Sequence, residues 1–221
     1  MRGKLIVIEG TDCSGKETQT KLLEEKLKKI NRNIKLYSFP MYDSPTGKIV
    51  GGPYLGKSYI CEGWFPEGAP SVNYKVASLY YSADRLYNID KIIDELNNGF
   101  DIILDRYVYS NMAHQGGKIK NKDERLKMYK WLEKLEFDLL ELPVPDIKIF
   151  LHMPTEFSKI LKQNREEKLD EHEASENHLK NAENAYLEIT DLYGFKKVEC
   201  VKDEKIRNIE DINQEIFEYL K

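Results

Sequence analysis

Cysteine, long apolar runs and net positive charge are all scarce in this sequence. Its three cysteines, Cys13, Cys61 and Cys200, neither pair by count nor show metal-ligand spacing, which excludes a disulfide scaffold and a zinc-finger site. No apolar run approaches the roughly 20 residues of a membrane span, and no apolar signal core precedes the first strand pattern. These absences predict a cytoplasmic protein that does not associate with a membrane.

The charge balance limits the partners further. The chain has 34 basic and 38 acidic residues, a net charge of −4 and a pI near 5.7, so no global positive field would recruit a nucleic acid polymer. An anionic ligand must therefore be bound by a local site. Arginine is rare, with seven residues against 27 lysines, so the position of each arginine is informative.

Hydrophobic patterning predicts a single α/β domain over residues 1–221. Short apolar runs alternate with helical periodicities, which is the pattern of a parallel sheet covered on both faces. The predicted strands are 4–9, 34–38, 101–104, 146–151 and 196–201. Five helices are predicted to begin near residues 18, 108, 123, 155 and 209. Another helix is predicted over 73–97, and a further one ends near 193. Residues 51–70, rich in glycine, proline and aromatics, are interpreted as a structureless functional loop.

The most informative motif lies between the first strand and the first helix. Gly10 and Gly15-Lys16 frame a GxxxxGK pattern, whose backbone N–H groups can point at phosphate oxygens while the lysine reaches the outer phosphates. This context predicts a P-loop NTPase-type three-layer fold with a five-stranded parallel sheet. The alternative is a glycine-rich turn with a chance lysine. The predicted ATP-binding residues are Gly10, Thr11, Asp12, Cys13, Ser14, Gly15, Lys16, Glu17 and Thr18.

One position after the loop departs from this pattern. Glu17 stands where a serine or threonine hydroxyl normally ligates Mg²⁺. Either the ion is held differently, or Thr18 and bound waters carry more of that work. Asp105, which follows the apolar strand 101–104, places a carboxylate at the phosphate edge of the sheet. The predicted metal ligands are therefore Asp105 and Glu17.

The residue after Asp105 separates the classes of P-loop protein. Motor-type ATPases tend to carry a second acid there to activate water, whereas Arg106 offers a planar fork suited to the phosphate of an acceptor. Arg106 therefore favours a kinase. The alternative is an ordinary surface ion pair.

Four segments, in order, make the sequence resemble the thymidylate kinase family over essentially its whole length. They are residues 10–16, Phe39-Pro40 with residues 44–47, residues 81–85, and residues 105–116. The resemblance implies phosphorylation of dTMP to dTDP by direct in-line transfer from Mg-ATP, as a step in dTTP synthesis, and it implies a homodimer.

The resemblance also implies an acceptor site. Tyr81 would stack on the thymine ring, Arg85 would bind a base carbonyl, and Asn111 would face the pyrimidine N3. From the residues alone, Tyr81 is equally well a core aromatic and Arg85 a surface partner of Asp84 or Asp90. The implied dTMP-binding residues are Asp12, Phe39, Tyr81, Arg85, Arg106, Asn111, His114 and Gln115, with His114 in place of a tyrosine usual near the sugar.

The implied catalytic residues are Asp12, Lys16, Arg106 and Arg165. Many family members carry an arginine beside the loop acid, but Cys13 occupies that place. The resemblance then assigns the charge on the transferring group to Arg165, in a mobile lid at about 163–175. A solvated charged turn is the alternative. The family's arginine for the acceptor phosphate is also missing at Met41-Tyr42, and Leu151-His152 lacks a common aspartate.

Three other functions stay open at the level of sequence. A kinase for another nucleoside monophosphate or for a deoxynucleoside needs only a different pocket, because the thymine methyl contributes about 1–3 kcal/mol. A GTPase switch requires an Asn-Lys-x-Asp motif, which Asn121-Lys122-Asp123-Glu124 approximates with glutamate in the fourth place. The departures at Cys13 and Glu17 allow a catalytically inactive nucleotide-binding scaffold.

Overall fold

The computed structural model describes residues 2–162 and 170–220 of the chain. Its centre is a sheet of five parallel strands in the order β2-β3-β1-β4-β5. The register places Leu5 beside Ile102 and Ile6 beside Ile147, so the first strand lies in the middle of the sheet. The strands are β1 (Leu5–Gly10), β2 (Ile34–Ser38), β3 (Asp101–Asp105), β4 (Ile147–His152) and β5 (Lys196–Glu199).

Helices cover both faces of the sheet. They are α1 (Lys16–Lys29), α2 (Pro45–Ile49), α3 (Tyr74–Asn97), α4 (Val108–Gly116), α5 (Lys122–Glu133), α6 (Thr155–Lys162), α7 (Glu176–Tyr193) and α8 (Ile209–Glu218). Two π-helical segments, Val50–Tyr54 and Lys134–Leu139, continue α2 and α5. Within the described ranges, none of these helices combines the length and the apolar character needed to cross a membrane.

The alternation of side chains along β1 creates the two cores. Leu5 and Val7 belong to a cluster with buried residues of α3, α4 and α7, whereas Ile6 and Ile8 belong to a second cluster with residues of α1 and α8. All six residues of β1 are buried, as expected for a central parallel strand. The predicted three-layer fold with a five-stranded parallel sheet is therefore confirmed.

Two local predictions were wrong. The last strand ends at Glu199, because Val201–Lys202 pairs instead with Lys205–Ile206 in a small antiparallel hairpin. Residues 51–70 are also not a structureless loop. They begin with a π-helical turn and, with neighbouring residues, enclose a third small core around Tyr54, which is fully buried.

The third core depends on close packing at a glycine. A side chain at Gly51 would meet Ile60 and Tyr42 at 2.5 and 2.8 Å, so the π-helical turn can approach the following loop only with glycine at this position. The segment from Val50 to Val72 is called the insert below. It packs between α2 and α3 and contributes residues to a cavity described in the next section.

Candidate active site

The phosphate loop connects β1 to α1. Cys13 and Gly15 both have left-handed backbone angles, with φ of 59° and 79°, which turn the chain so that α1 begins directly at Lys16. A side chain at Gly10 would lie 2.4 Å from Ser14 Oγ and 3.0 Å from the carbonyl of Leu151. The pattern of glycines therefore reflects both backbone angle and space, and the loop has the form that cradles phosphates.

Lys16 lies inside this loop rather than in solvent. Its side-chain Nζ donates to the carbonyl oxygens of Gly10 and Thr11 at 3.1 and 2.9 Å. Burial, reinforced by the nearby charge of Arg106, lowers the pKa of Lys16 to about 8. An anionic ligand in the loop would stabilise the charged form of Lys16 and raise its pKa. Lys16 is therefore placed to bind phosphate as an ammonium ion.

Arg106 follows β3 in a left-handed conformation, with φ of 68°. Its guanidinium forms an ion pair with Asp12 and donates to Ser110 Oγ at 3.2 Å and to the Tyr186 hydroxyl at 3.3 Å. Asp12, next to Thr11 in the loop, is the first of the opposite charges that raise the pKa of Arg106. Arg106 is thus held at the phosphate loop, and the alternative of an ordinary surface pair is wrong.

The side chain of Glu9, on β1, holds the backbone that follows Arg106. Sequence reasoning missed this residue. The fully buried carboxylate accepts hydrogen bonds from the backbone N–H groups of Tyr107 and Ser110, at 2.8 and 3.0 Å. Burial raises the pKa of Glu9, opposed by its hydrogen bonds and by Arg106. An acidic residue inside an otherwise apolar strand, Leu5–Gly10, is the signal that could have identified it.

Two adjacent cavities, which share part of their lining, lie at this edge of the sheet. The first, called the donor cleft, has a volume of about 350 Å³ and is lined by the phosphate loop, Glu17, Thr18, Asp105 and Leu161. The second, called the acceptor cavity, has a volume of about 170 Å³ and extends toward α3 and α4. Asp12, Phe39, Pro40, Tyr42, Arg106 and Glu173 line both. The structure therefore places Lys16 and Arg106 on one side of the molecule, where both line the donor cleft.

Asp105 is the residue best suited to hold a cation in the donor cleft. Its Oδ1 atom is buried and has no hydrogen-bond partner within residues 2–162 and 170–220, and burial raises the pKa of its carboxyl group. Glu17 is largely exposed and pairs with Lys21 at 2.6 Å, yet its charge also raises the pKa of Asp105. Carboxylate oxygens are the hard ligands that Mg²⁺ prefers, and both residues line the cleft beside the phosphate loop, so they fit that ion.

Most of the predicted dTMP-binding residues line the acceptor cavity. Tyr81 is half-buried there and packs edge-on against Tyr54, at 5.8 Å between ring centroids. Arg85 is only 2% exposed and pairs with Glu136, so the alternative of a surface pair with Asp84 or Asp90 is wrong. The predicted residues that line the cavity are Asp12, Phe39, Tyr81, Arg85, Arg106, Asn111 and His114. Gln115 is fully buried and lies outside the lining of both spaces.

The insert contributes a cation that sequence reasoning missed. Lys57 lines the acceptor cavity, lies 5.1 Å from the ring centroid of Tyr42 and pairs with Asp170 at 3.1 Å. It therefore brings positive charge to the neighbourhood of Met41-Tyr42, where the family arginine is missing. No sequence spacing relates Lys57 to Asp170, which follows more than a hundred positions later.

The lid predicted at 163–175 is described only from Asp170 onward, and Arg165 lies outside the described residues. The described part is not a solvated turn, because Asp170 and His172 are 8% and 4% exposed. It docks on the insert, where the backbone N–H of Glu171 donates to the Leu55 carbonyl at 3.1 Å and the Glu171 carboxylate accepts from the Ala69 N–H.

Three buried histidines adjoin the acceptor cavity. The nearest ring nitrogens of His114, His172 and His178 lie within 4.8 Å of one another. The rings of His114 and His172 are stacked with 8° between their planes, so their in-plane lone pairs do not converge on one point. Burial lowers the pKa of all three, and the charge of Arg106 or Lys118 lowers each further. These observations favour a packed group of neutral rings over a metal centre.

A P-loop beside an acceptor cavity, with a cationic residue between them, defines a nucleoside monophosphate kinase of the P-loop class. The comparison with known proteins is more specific. The sequence profile of the family "Thymidylate kinase" matches residues 8–216. The chain therefore belongs to the thymidylate kinase family, and the resemblance inferred from its motifs is confirmed.

Individual relatives cover most of the chain. The thymidylate kinase of Schizosaccharomyces pombe is 30% identical over 217 residues, which cover 98% of this chain and 91% of the relative. The human thymidylate kinase is 30% identical over 152 residues, or 69% of this chain and 62% of the relative. A solved structure of Candida albicans thymidylate kinase, described as having broad substrate specificity, aligns with a TM-score of 0.75 and 29% identity, covering 99% of this chain and 91% of that one.

Proposed function

We propose that this kinase transfers the terminal phosphoryl group of Mg-ATP directly to the 5′ phosphate of dTMP, giving ADP and dTDP for dTTP synthesis. The observation that carries the proposal is the meeting of the donor cleft and the acceptor cavity at Asp12 and Arg106. Two anionic substrates bound in these spaces would face each other across that point. Such an arrangement converts a reaction between two anions into transfer within one enclosed site.

Each charged group has a distinct task in this proposal. The loop N–H groups and Lys16 bind the phosphates of ATP, and Arg106 binds the acceptor phosphate. Asp12 orients Arg106 through their ion pair. The acceptor phosphate is already an adequate nucleophile, so no covalent enzyme intermediate is needed. Arg165, from the proposed lid, remains the candidate for the charge on the transferring group.

Asp105 and, at the edge of the cleft, Glu17 would hold Mg²⁺ through carboxylate oxygens. When bound, the ion neutralises charge that develops on the phosphate oxygens. The residues of this chain bind, orient and enclose the substrates around it. Burial of Asp105 keeps its carboxyl group costly to ionise until a cation is present, which couples its charge to metal binding.

The competing functions receive less support from the structure. In the sequence Asn121-Lys122-Asp123-Glu124, the Asn121 side chain accepts from the Glu124 N–H at 3.0 Å and caps α5. This motif therefore marks the start of a helix on the surface rather than a guanine-binding loop after a strand. The retained Lys16, Asp105 and Arg106 side chains, all at one edge of the sheet, argue against an inactive scaffold.

We also propose a cytoplasmic homodimer. Val76, Leu79, Leu86 and Tyr87 on α3 are 43, 50, 45 and 61% exposed, and their spacing gives one apolar helical stripe. A second copy of the chain packed on this stripe would bury it in an isologous interface. Sedimentation velocity of the wild type and of a Leu79→Glu variant tests this, because a wild-type monomer contradicts it.

The function is tested by ADP release with ATP and a panel of acceptors. We expect dTMP to be phosphorylated fastest among deoxy- and ribonucleoside monophosphates, with the product identified as dTDP. Unphosphorylated thymidine serves as the control for nucleoside kinase activity. Absence of ADP release with every monophosphate would contradict the proposal.

A further inference from the structure

The base-facing wall of the acceptor cavity is held from behind by Glu136. This residue lies in the π-helical segment Lys134–Leu139 and its side chain is fully buried. Its carboxylate accepts from Arg85 Nε and from Arg85 NH2, the latter at 2.5 Å. The same carboxylate accepts from Ser82 Oγ at 3.0 Å and from Asn111 Nδ2 at 3.2 Å. Glu136 thus contacts both polar residues, Arg85 and Asn111, that this wall presents to the cavity.

These contacts fix the orientation of the Asn111 amide beside the cavity. The Nδ2 group donates to Glu136 Oε1 and to the Ser78 carbonyl oxygen, both at 3.2 Å. Rotating the amide by half a turn would place its oxygen against a carboxylate and a carbonyl, which are both acceptors. The Oδ1 atom is therefore the end left over. It is buried and has no hydrogen-bond partner within the described part of the chain.

The same carboxylate fixes the guanidinium of Arg85. Its Nε and NH2 groups point at Glu136, so the NH1 group is the donor directed away from that ion pair. Arginine has only donors and no acceptor. Beside the cavity, the contacts with Glu136 therefore leave donor N–H groups on Arg85 and an acceptor oxygen on Asn111.

We propose that Glu136 is a positioning residue that makes this wall selective for a base with a ring N–H beside a carbonyl group. The proposal rests on the proposed function, in which the acceptor cavity receives the base of a monophosphate. Thymine and uracil offer a carbonyl acceptor at C4 and a donor at N3. Cytosine reverses both groups, with an amine at C4 and an acceptor at N3, so it would meet donor with donor and acceptor with acceptor.

Burial of the wall makes this mismatch costly. Arg85 and Asn111 are each 2% exposed, so a cytosine base would leave their polar atoms unpaired without access to water. Sites that hydrogen-bond a substrate group reject an analogue lacking it far more strongly than sites that sense a methyl group. We therefore expect discrimination of about 100-fold or more between uracil and cytosine, although neither carries the thymine methyl.

The first experiment uses the wild-type protein and measures binding, so it does not depend on turnover. Calorimetric titrations with dUMP, dCMP and N3-methyl-dTMP are compared with dTMP. We expect dTMP and dUMP to bind and the other two to bind at least about 100-fold more weakly. Equal binding of dUMP and dCMP, or no binding of either, overturns the inference. Preferential binding of dUMP without any ADP release would instead retain it and contradict the proposed function.

The second experiment assigns the selectivity to Glu136. In Glu136→Gln the amide group no longer offers two acceptor oxygens, so we expect the dUMP to dCMP preference to fall at least about tenfold. The KM for dTMP should rise, whereas the KM for ATP should stay within about threefold. Glu188→Gln is the matched control. Glu188 accepts hydrogen bonds from Arg125 and Tyr129 in a partly buried ion pair that lies outside both cavities.

A second variant covers the case in which Glu136→Gln fails to fold. Glu136→Asp keeps the charge that pairs with Arg85 but shortens the side chain by one methylene group, so it moves the carboxylate without leaving an unpaired buried charge. It should also lose the preference for dUMP over dCMP, and it should raise the KM for dTMP while the KM for ATP stays nearly unchanged. A folded variant of either kind that keeps the wild-type preference for dUMP over dCMP overturns the role of Glu136.

Discussion

Arg106 and Asp12 form an ion pair at the junction of the donor cleft and the acceptor cavity. The pair joins the end of β3 to the phosphate loop, two places separated by 94 positions in the sequence. Neither charge is freely solvated, since their side chains are 21% and 9% exposed. An incoming acceptor phosphate would therefore share a guanidinium whose direction Asp12, Ser110 and Tyr186 already fix.

The first prediction concerns Arg106. Arg106→Ala should lower kcat/KM for the acceptor by about 100-fold or more, because a fixed donor to the phosphate is lost in the transition state. Steady-state kinetics with varied dTMP measures the effect. Arg125→Ala is the control, since Arg125 pairs with Glu188 outside both cavities. A turnover of Arg106→Ala within about threefold of the wild type would remove the assigned role.

Lys16 provides the second prediction. Lys16→Ala should lower turnover by about 100-fold or more while the protein remains folded, because its amine is directed at the phosphate loop and not at the core. ATP binding and turnover are measured together with a thermal melt. Lys29→Ala, at the exposed end of α1, removes one lysine from the same helix and should be indistinguishable from the wild type. Equal losses in the two variants would contradict a specific role for Lys16.

Asp105 supplies a test of the metal assignment. Asp105→Asn should raise the Mg²⁺ concentration for half-maximal activity by about tenfold or more, because a neutral amide is a weaker ligand than a carboxylate. A magnesium titration of ADP release measures this shift. Asp101→Asn is the control, since Asp101 lies at the opposite end of β3 and pairs with Arg32. Wild-type activity that persists in excess chelator would contradict the magnesium requirement altogether.

The positions of Lys16, Asp105 and Arg106 could be predicted because they follow from local sequence. Parallel strands bring their carboxyl ends to one edge, so a carboxylate after one strand lies near a loop after its neighbour. Glu136 and Lys57 could not be predicted in this way. Their partners Arg85 and Asp170 lie 51 and more than a hundred positions away, and only the packed insert and the π-helical turn bring them together.

The same limit explains the misread insert. The glycine and proline residues in 51–70 are individually typical of loops. The packing of this segment around Tyr54 depends on α3, on Phe65 and on His172, which belongs to the predicted lid. Local composition carries no information about these contacts. Periodic segments such as α3 and α7 were predictable because one apolar stripe in each already specifies a buried face.

The buried histidines predict how stability depends on pH. Burial lowers the pKa of His178 to about 4 in the folded protein, against an ordinary value of 6.5 when unfolded. Below pH 6.5 the unfolded chain therefore binds a proton that the folded chain does not, so the free energy of unfolding falls as pH decreases from 6.5 toward 4. His178→Gln should lose less stability than the wild type between about pH 7 and about pH 5, measured by urea unfolding.

His152 provides a control of opposite sign. Hydrogen bonds to Glu183 and Glu199 raise the pKa of His152, so its stabilising contribution is complete below the unfolded value of 6.5 and is lost as pH rises through its folded pKa. His152→Gln should accordingly lose more stability than the wild type on acidification, because it lacks that compensating gain. Parallel unfolding curves for the two histidine variants would show that neither imidazole changes its proton affinity on folding. Divergence in the stated directions would instead show that His178 contributes to the acid sensitivity of the fold, together with His114 and His172, whose pKa values burial also lowers.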